Sequence, residues 1–222
     1  MINPDDWHLT QNSDYLKLQE NRLKEAPLKW CSQFAKILNN FYLSVEVPKS
    51  ISINDYGCAV GHFARVLPDL TSADLSYLGI DISETYLEIA RNNFPKEEFI
   101  HFDLNRLSQD NAVRSSDVAI MSATLEHLEN YKEVLGSILL STKDCFLLRT
   151  FTGESFSADF CSKDGSSLPY LIQQFEESFF FSTASNHSFK LKKYEDEATG
   201  GVEKPVCEDR IMRTQSIFLF YR

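Results

Sequence analysis

The chain is short of positive charge. Its 222 residues hold 22 Lys and Arg against 32 Asp and Glu, a formal net charge of −10, and no stretch gathers the basic residues together. Nucleic-acid faces are built from such clusters, so no DNA or RNA partner is expected. Long apolar runs are missing too: nothing approaches the roughly 18 apolar residues of a membrane span. The start, Met1-Ile2-Asn3-Pro4-Asp5-Asp6-Trp7, has neither the basic opening nor the apolar stretch of a secretory leader. Five cysteines, Cys31, Cys58, Cys145, Cys161 and Cys207, are odd in number and far apart. That argues against a disulfide framework and a zinc site, and for a reducing compartment. The expectation is a cytoplasmic protein with no metal and no membrane partner. Internal repeats and low-complexity tracts are also missing.

What is present reads as one globular domain with a cap. Hydrophobic residues make up 43% and charged residues 24%, ordinary for a chain long enough to bury a sizeable core. From Trp7 to about Tyr42 the pattern is helical: Pro27 suits a first turn, and Cys31, Phe34, Ala35, Leu38, Phe41 and Tyr42 recur at i, i+3, i+4 and i+7 spacing. From residue 51 short apolar runs alternate with helical segments. Strands are predicted at Ile51–Tyr56, Tyr77–Ile80, Phe99–Phe102, Val118–Met121 and Cys145–Thr150. Helices are predicted at Phe63–Leu70, at Ser83–Phe94 with Ser83 as cap, and at Tyr131–Leu140. Phe151 to Gly165 reads as a loop and Leu168–Phe180 as a helix. Phe189–Tyr194 and Ser216–Tyr221 read as two closing strands.

This alternation implies right-handed βαβ units. The predicted fold is α/β: a single Rossmann-like, doubly wound, mostly parallel seven-stranded sheet, with an antiparallel C-terminal hairpin and an N-terminal helical cap. The cap takes residues 1–44 and the core residues 45–222, with a lid or insert around 151–187.

The densest chemistry lies in "SINDYGCAVGHFARVL", residues 52–67. A strand stops on Asp55, the chain turns through Gly57-Cys58-Ala59-Val60-Gly61, and a helix starts at once, a common ligand-binding device. A dinucleotide fingerprint G-x-G-x-x-G starting at Gly57 would need glycine at 59 and 62, where Ala59 and His62 stand, so a nicotinamide or flavin is disfavoured. A Walker A phosphate loop is absent.

Asp55-x-Gly57-Cys58-Ala59-x-Gly61 resembles the first motif of class I S-adenosylmethionine-dependent methyltransferases. "YLGIDISETYLEIARNNF" is similar to that family's second strand and following helix, "HFDLNRL" to its third-strand segment, and "SSDVAIMSATLEHLENY" to its fourth. The match spans about residues 45–150, in order. It implies S-adenosyl-L-methionine as cofactor, held by Asp55, Gly57, Cys58, Gly61, Asp81, Ile82, Asp103, Leu104, Met121 and Ser122. Asp55 would face the methionine ammonium, Gly57 and Gly61 would let the methionine tail approach bare backbone, and Asp81 would accept from the ribose hydroxyls. Asp103 would take the adenine amino group, the Leu104 amide a ring nitrogen, and Met121 and Ser122 would border the sulfonium. Cys58 itself suits a small packing residue.

His127 is the candidate catalytic base, with Glu126 beside it as orienter; both also suit the opening of the next helix. The aromatics Phe156, Phe160, Tyr170, Phe175 and Phe179–Phe181 suit either a substrate pocket or core beneath a lid. The implied function is methyl transfer to a small-molecule or sugar-like (glycan-precursor) acceptor. The alternative is a non-catalytic protein of the same fold that binds cofactor or a partner.

Overall fold

The computed structural model describes residues 13–44, 48–67, 73–109, 113–161, 169–206 and 211–222. Ten strands and six helices follow one another in the described residues. After α1 (Ser13–Lys24) and α2 (Lys29–Leu43) come β1 (Ser50–Tyr56), α3 (His62–Val66), β2 (Asp74–Asp81), α4 (Glu84–Asn93), β3 (Glu98–His101) and β4 (Ser116–Ser122). Then come α5 (Tyr131–Ser141), β5 (Thr142–Thr152), β6 (Ser157–Cys161), β7 (Tyr170–Gln174), α6 (Glu177–Asn186), β8 (Lys190–Glu195), β9 (Lys204–Val206) and β10 (Ile211–Tyr221).

The main sheet runs β3-β2-β1-β4-β5-β10-β8, with β9 paired to the start of β10. Its first five strands are parallel, and β10 lies antiparallel between β5 and β8. The seven-stranded, mostly parallel sheet with an antiparallel end is therefore the one the sequence predicts, extended by β9.

Alternation along the strands explains why both faces are covered. In β5, Cys145 and Leu147 enter one core layer, with α2, α3 and α4 packed on it. Phe146 and Leu148 enter the other layer, under α5 and α6. Side chains two apart share a face, so an unbroken apolar run marks a strand buried on both sides. Ser83 caps α4 as expected, its hydroxyl accepting from the Tyr86 amide at 3.3 Å.

The N-terminal helical pattern divides in two. Pro27 lies just before α2, whose N-cap is Leu28; Trp7 and residues 68–70 lie outside the described residues. Helix α1 docks on the start of α3: Gln19 Oε1 lies 2.9 Å from His62 Nε2, and Arg65 donates to the carbonyl of Leu23 at 2.5 Å. Burial first, then Arg22 and Arg65, pulls His62 down to about pKa 4, so its ring is neutral near pH 7.

Two expectations are corrected. The stretch after Phe151 holds the β6–β7 hairpin, and Tyr170–Gln174 is a strand, with the helix starting only at Glu177. Phe175 explains the change: it joins the sheet's edge through a bridge to Thr152, and tertiary pairing overrides a helical spacing of aromatics. Second, Cys161 is disulfide-bonded, while Cys31, Cys58 and Cys145 carry free buried thiols. Folding, not spacing along the chain, brings thiols within bonding distance. No helix among the described residues is long and apolar enough to cross a membrane.

Candidate active site

In a sheet ordered this way, β1 sends the chain to β2 on one side while β4 flanks it on the other. Loops leaving β1 and β4 diverge there, and ligands of open α/β sheets bind at such a switch point. Four residues in these two loops hold positive φ: Gly57 (+80°), Ala59 (+48°) and Gly61 (+84°) after β1, and Ala123 (+56°) after β4. The alanines are the informative pair, since an L side chain in this region costs roughly 1–2 kcal/mol. Such strain persists where surrounding bonds over-determine the backbone, and it gathers at functional sites. Ala59 stands in the motif read from the sequence, whereas Ala123 gave no signal there.

The bonds that hold the turn are visible. The amides of Gly57 and Cys58 both donate to the Ile80 carbonyl, at 2.7 and 3.1 Å. Asp81, 8% exposed, accepts from the Ala59 amide on Oδ2 at 2.8 Å and from the Ser83 amide on Oδ1 at 2.9 Å. One carboxylate thus ties the glycine turn to the head of α4. A carboxylate has about four acceptor sites; the Ala59 and Ser83 amides take one on each oxygen, the Ile82 amide also bears on the group, and acceptor capacity remains. Burial pushes the Asp81 pKa up while these amide bonds oppose it. The Ile82 carbonyl meets His101 Nε2 at 2.7 Å.

Asp55, next to last in β1, has 1% exposure. Tyr77 donates its hydroxyl to Asp55 Oδ2 at 2.5 Å. Burial lifts the carboxyl to about pKa 7, with the Tyr77 bond pulling against it and Asp81 adding to it.

The glycines owe their identity to protein neighbours. A Cβ on Gly57 would stand 2.1 Å from Thr124 Oγ1, and one on Gly61 would stand 3.0 Å from the Phe94 ring. Gly79, which sequence reasoning missed, lets Phe99 and the Cys58 sulfur approach β2. Cys58 is a packing residue: it lies in the core, and burial raises its thiol pKa well above the ordinary value.

Asp103 and Leu104 open a single 3-10 turn. Asp103 Oδ1 accepts from the Asn105 amide at 3.0 Å and from its side chain at 3.3 Å, so Oδ2 is the oxygen turned to other partners. Leu104 and Met121 are buried in the layer under α5; their backbone, not their side chains, is what reaches the strand ends. Ser122 closes β4, and its carbonyl accepts from the Thr124 hydroxyl at 3.3 Å.

His127 and Glu126 sit in a 3-10 turn, Leu125–His127. His127 Nδ1 meets the Leu171 carbonyl at 2.8 Å, and Tyr170 lies edge-on to its ring. A carbonyl only accepts, so the neutral ring carries its proton on Nδ1 and its lone pair on Nε2. Glu126 does not orient this histidine: it is fully buried, and its Oε2 accepts from the Thr150 hydroxyl at 2.9 Å. Strand β7 also pins the turn through Gln173, whose amide donates to the Leu128 carbonyl at 2.8 Å. The aromatic set divides: Phe175 and Phe180 are core, whereas Phe156, Phe160 and Phe181 are exposed. Among the described residues no group of three His, Cys, Asp or Glu side chains is arranged to hold a metal.

Residues 55–144 match the family model of a methyltransferase domain. The fold of the whole chain is similar to solved methyltransferases. An S-adenosylmethionine-dependent methyltransferase from Clostridium acetobutylicum superposes with a TM-score of 0.63 at 12% identity, over 94% of this chain and 99% of that one. The Burkholderia thailandensis 1,6-didemethyltoxoflavin-N1-methyltransferase, solved with bound 1,6-didemethyltoxoflavin and S-adenosylhomocysteine, gives a TM-score of 0.59 at 12% identity, over 100% of this chain and 91% of that one. The N-terminal domain of EvdMO1, solved in the presence of S-adenosylhomocysteine and D-fucose, gives 0.60 at 12% identity, over 87% and 83%. No curated protein matches the chain in sequence. The domain match covers residues 55–144, and over the rest of the chain the likeness to methyltransferases is one of fold.

Proposed function

We propose that the protein transfers a methyl group from S-adenosylmethionine to a small-molecule acceptor, bound where the loops after β1 and β4 diverge. One observation carries this: Asp81 locks a left-handed turn to the end of β2 and keeps acceptor capacity on its carboxylate for further donors. A pair of vicinal ribose hydroxyls matches that donor demand, and charge assistance makes such bonds strong. Asp103 Oδ2 suits an adenine amino group and the Leu104 amide a ring nitrogen. The turn from Gly57 to Gly61 offers backbone to the methionine moiety, and Asp55 offers its carboxyl to the ammonium. Ser122 and the backbone of Met121 border the transfer site. The residues present fit the cofactor.

When bound, S-adenosylmethionine supplies a methyl carbon already activated by its sulfonium. The chain's own task is then alignment, exclusion of water and removal of the acceptor's proton. His127, with its lone pair on Nε2, is the base in this reading. Helix α1, docked beside the turn, and the β6–β7 hairpin flank the site and exclude water; together they give the cap and the lid or insert their use. The solved relatives with a small heterocycle and with D-fucose support a small or sugar-like acceptor.

Calorimetric titration tests the reading. S-adenosylmethionine and S-adenosylhomocysteine should bind, and at 100 times the dissociation constant should stabilise the fold by about 2.7 kcal/mol. If neither shifts the melting temperature while NADH raises it, the proposal is wrong.

A further inference from the structure

Two arginines reach the carboxyl end of β5, and they differ in one respect. Arg149 is paired: its Nε and Nη2 donate to Asp196 at 3.0 and 3.2 Å, and Nη2 to Gln215 at 2.6 Å. Arg213, at the start of β10, lies with its guanidinium 3.5 Å over the Phe151 ring. Its Nε is buried with no hydrogen-bond partner, and no carboxylate among the described residues stands within ion-pair distance of it. A guanidinium stacked on a ring keeps its in-plane N–H donors for a planar anion.

Opposite stands Glu126, fully buried. Thr150 occupies its Oε2, and Oε1 has no partner. Buried polar atoms are almost always paired, so an unpaired carboxylate oxygen needs an explanation. Burial pulls the Arg213 pKa down, while Glu126 and Tyr170 act to raise it, yet Glu126 and Arg213 form no ion pair. Register fixes their neighbourhood: Thr150 and Phe151 lie on β5 opposite Ser216 and Gln215 of β10, and Glu126 follows β4, the strand beside β5. All of these stand at the strand ends beside the switch point.

Resting on the methyltransferase reading, we propose that Glu126 and Arg213 form the acceptor-recognition site and select a small carboxylate that also carries a hydroxyl or amine. Arg213 takes the carboxylate through its N–H edge. Glu126 Oε1 accepts a hydrogen bond from the hydroxyl or amine. His127 and Tyr170, which meet edge-on beside them, border the same space.

The test uses the whole protein saturated with S-adenosylhomocysteine and two trios of probes. One is 4-hydroxybenzoate, its methyl ester and 4-methoxybenzoate; the other is 3-hydroxybutyrate, its methyl ester and 3-methoxybutyrate. In at least one trio the hydroxy acid should bind about tenfold or more tightly than both partners, the scale of a lost charged hydrogen bond. Arg213→Ala should erase the acid-to-ester ratio, and Glu126→Gln should cut the hydroxyl-to-methoxy ratio, since an amide oxygen accepts more weakly than a carboxylate, with S-adenosylhomocysteine affinity unchanged in both. Should Glu126→Gln fail to fold, the ratios within the wild-type trios still decide. Equal binding of acid and ester, or no binding of either trio at millimolar concentration while S-adenosylhomocysteine binds, overturns the proposal and spares the methyltransferase reading. Failure of S-adenosylhomocysteine itself to bind overturns both.

Discussion

Replacing Gly57 with alanine sets two costs against one position, and a second substitution separates them. The backbone cost follows from φ of +80°, where an L side chain loses roughly 1–2 kcal/mol. The steric cost follows from Thr124: the new Cβ would meet its Oγ1 at 2.1 Å, Cγ2 at 2.7 Å and Cβ at 2.9 Å. Overpacking of that kind costs about 1–3 kcal/mol, so Gly57→Ala should lose about 2–5 kcal/mol in all. Thr124→Gly removes every atom the new Cβ strikes and leaves the backbone strain untouched. In the double variant the steric part vanishes, and the two changes should fail to add by about 1–3 kcal/mol in the stabilising direction. Urea unfolding with a common slope reads each corner of the cycle. Additivity within about 0.5 kcal/mol would show that Thr124 is not what makes position 57 a glycine.

Three further outcomes follow from the site. Asp81→Ala should weaken S-adenosylmethionine binding at least tenfold, since each lost charge-assisted bond costs about 1.5–3 kcal/mol; unchanged affinity in calorimetry removes Asp81 from the cofactor site. Burial holds Asp55 at about pKa 7 in the fold, above its ordinary 3.8. Its stability contribution is therefore full below about pH 4 and lost as pH rises to about 7; the Asp55→Asn variant should lack that fall, and parallel urea midpoints across the window would refute it. His127→Ala should slow methyl transfer about 10²–10⁴-fold with cofactor affinity near normal. A rate within threefold of the parent would assign His127 to architecture.

The sheet was legible because its signals are local. Runs such as Cys145–Thr150 and the cap at Ser83 carry their structure in neighbouring residues, and the observed strands differ from expectation mainly by a few residues at their ends. The β6–β7 hairpin was not legible, since Tyr170, Leu171, Phe175 and Phe179 fit helical spacing and only the pairing of Phe175 with Thr152 decides otherwise. The same holds within the site. Asp55, Gly57 and Asp81 announce themselves by motif and strand end, whereas Thr124, Gly79 and Arg213 matter only through what lies across from them. Nothing in the spacing of Glu126 and Arg213, 87 positions apart, hints that one feels the other's charge.

The outer strand β8 has a consequence beyond catalysis. Its sequence, Lys190-Leu191-Lys192-Lys193-Tyr194-Glu195, ends the path of the sheet and leaves one row of backbone donors and acceptors without a neighbour strand in that path. A bare edge of this kind invites other chains to add on, and lysines along it are a common deterrent. Here Lys190 leans over Tyr221 and Lys192 over Tyr194, while Lys193 reaches Glu177, so the ammonium groups are fixed along the rim. In a chain of net charge −10 these three cations are a local exception, placed where charge disfavours edge-to-edge pairing. The opposite rim, β3, has only four residues and offers too short a template to recruit a strand.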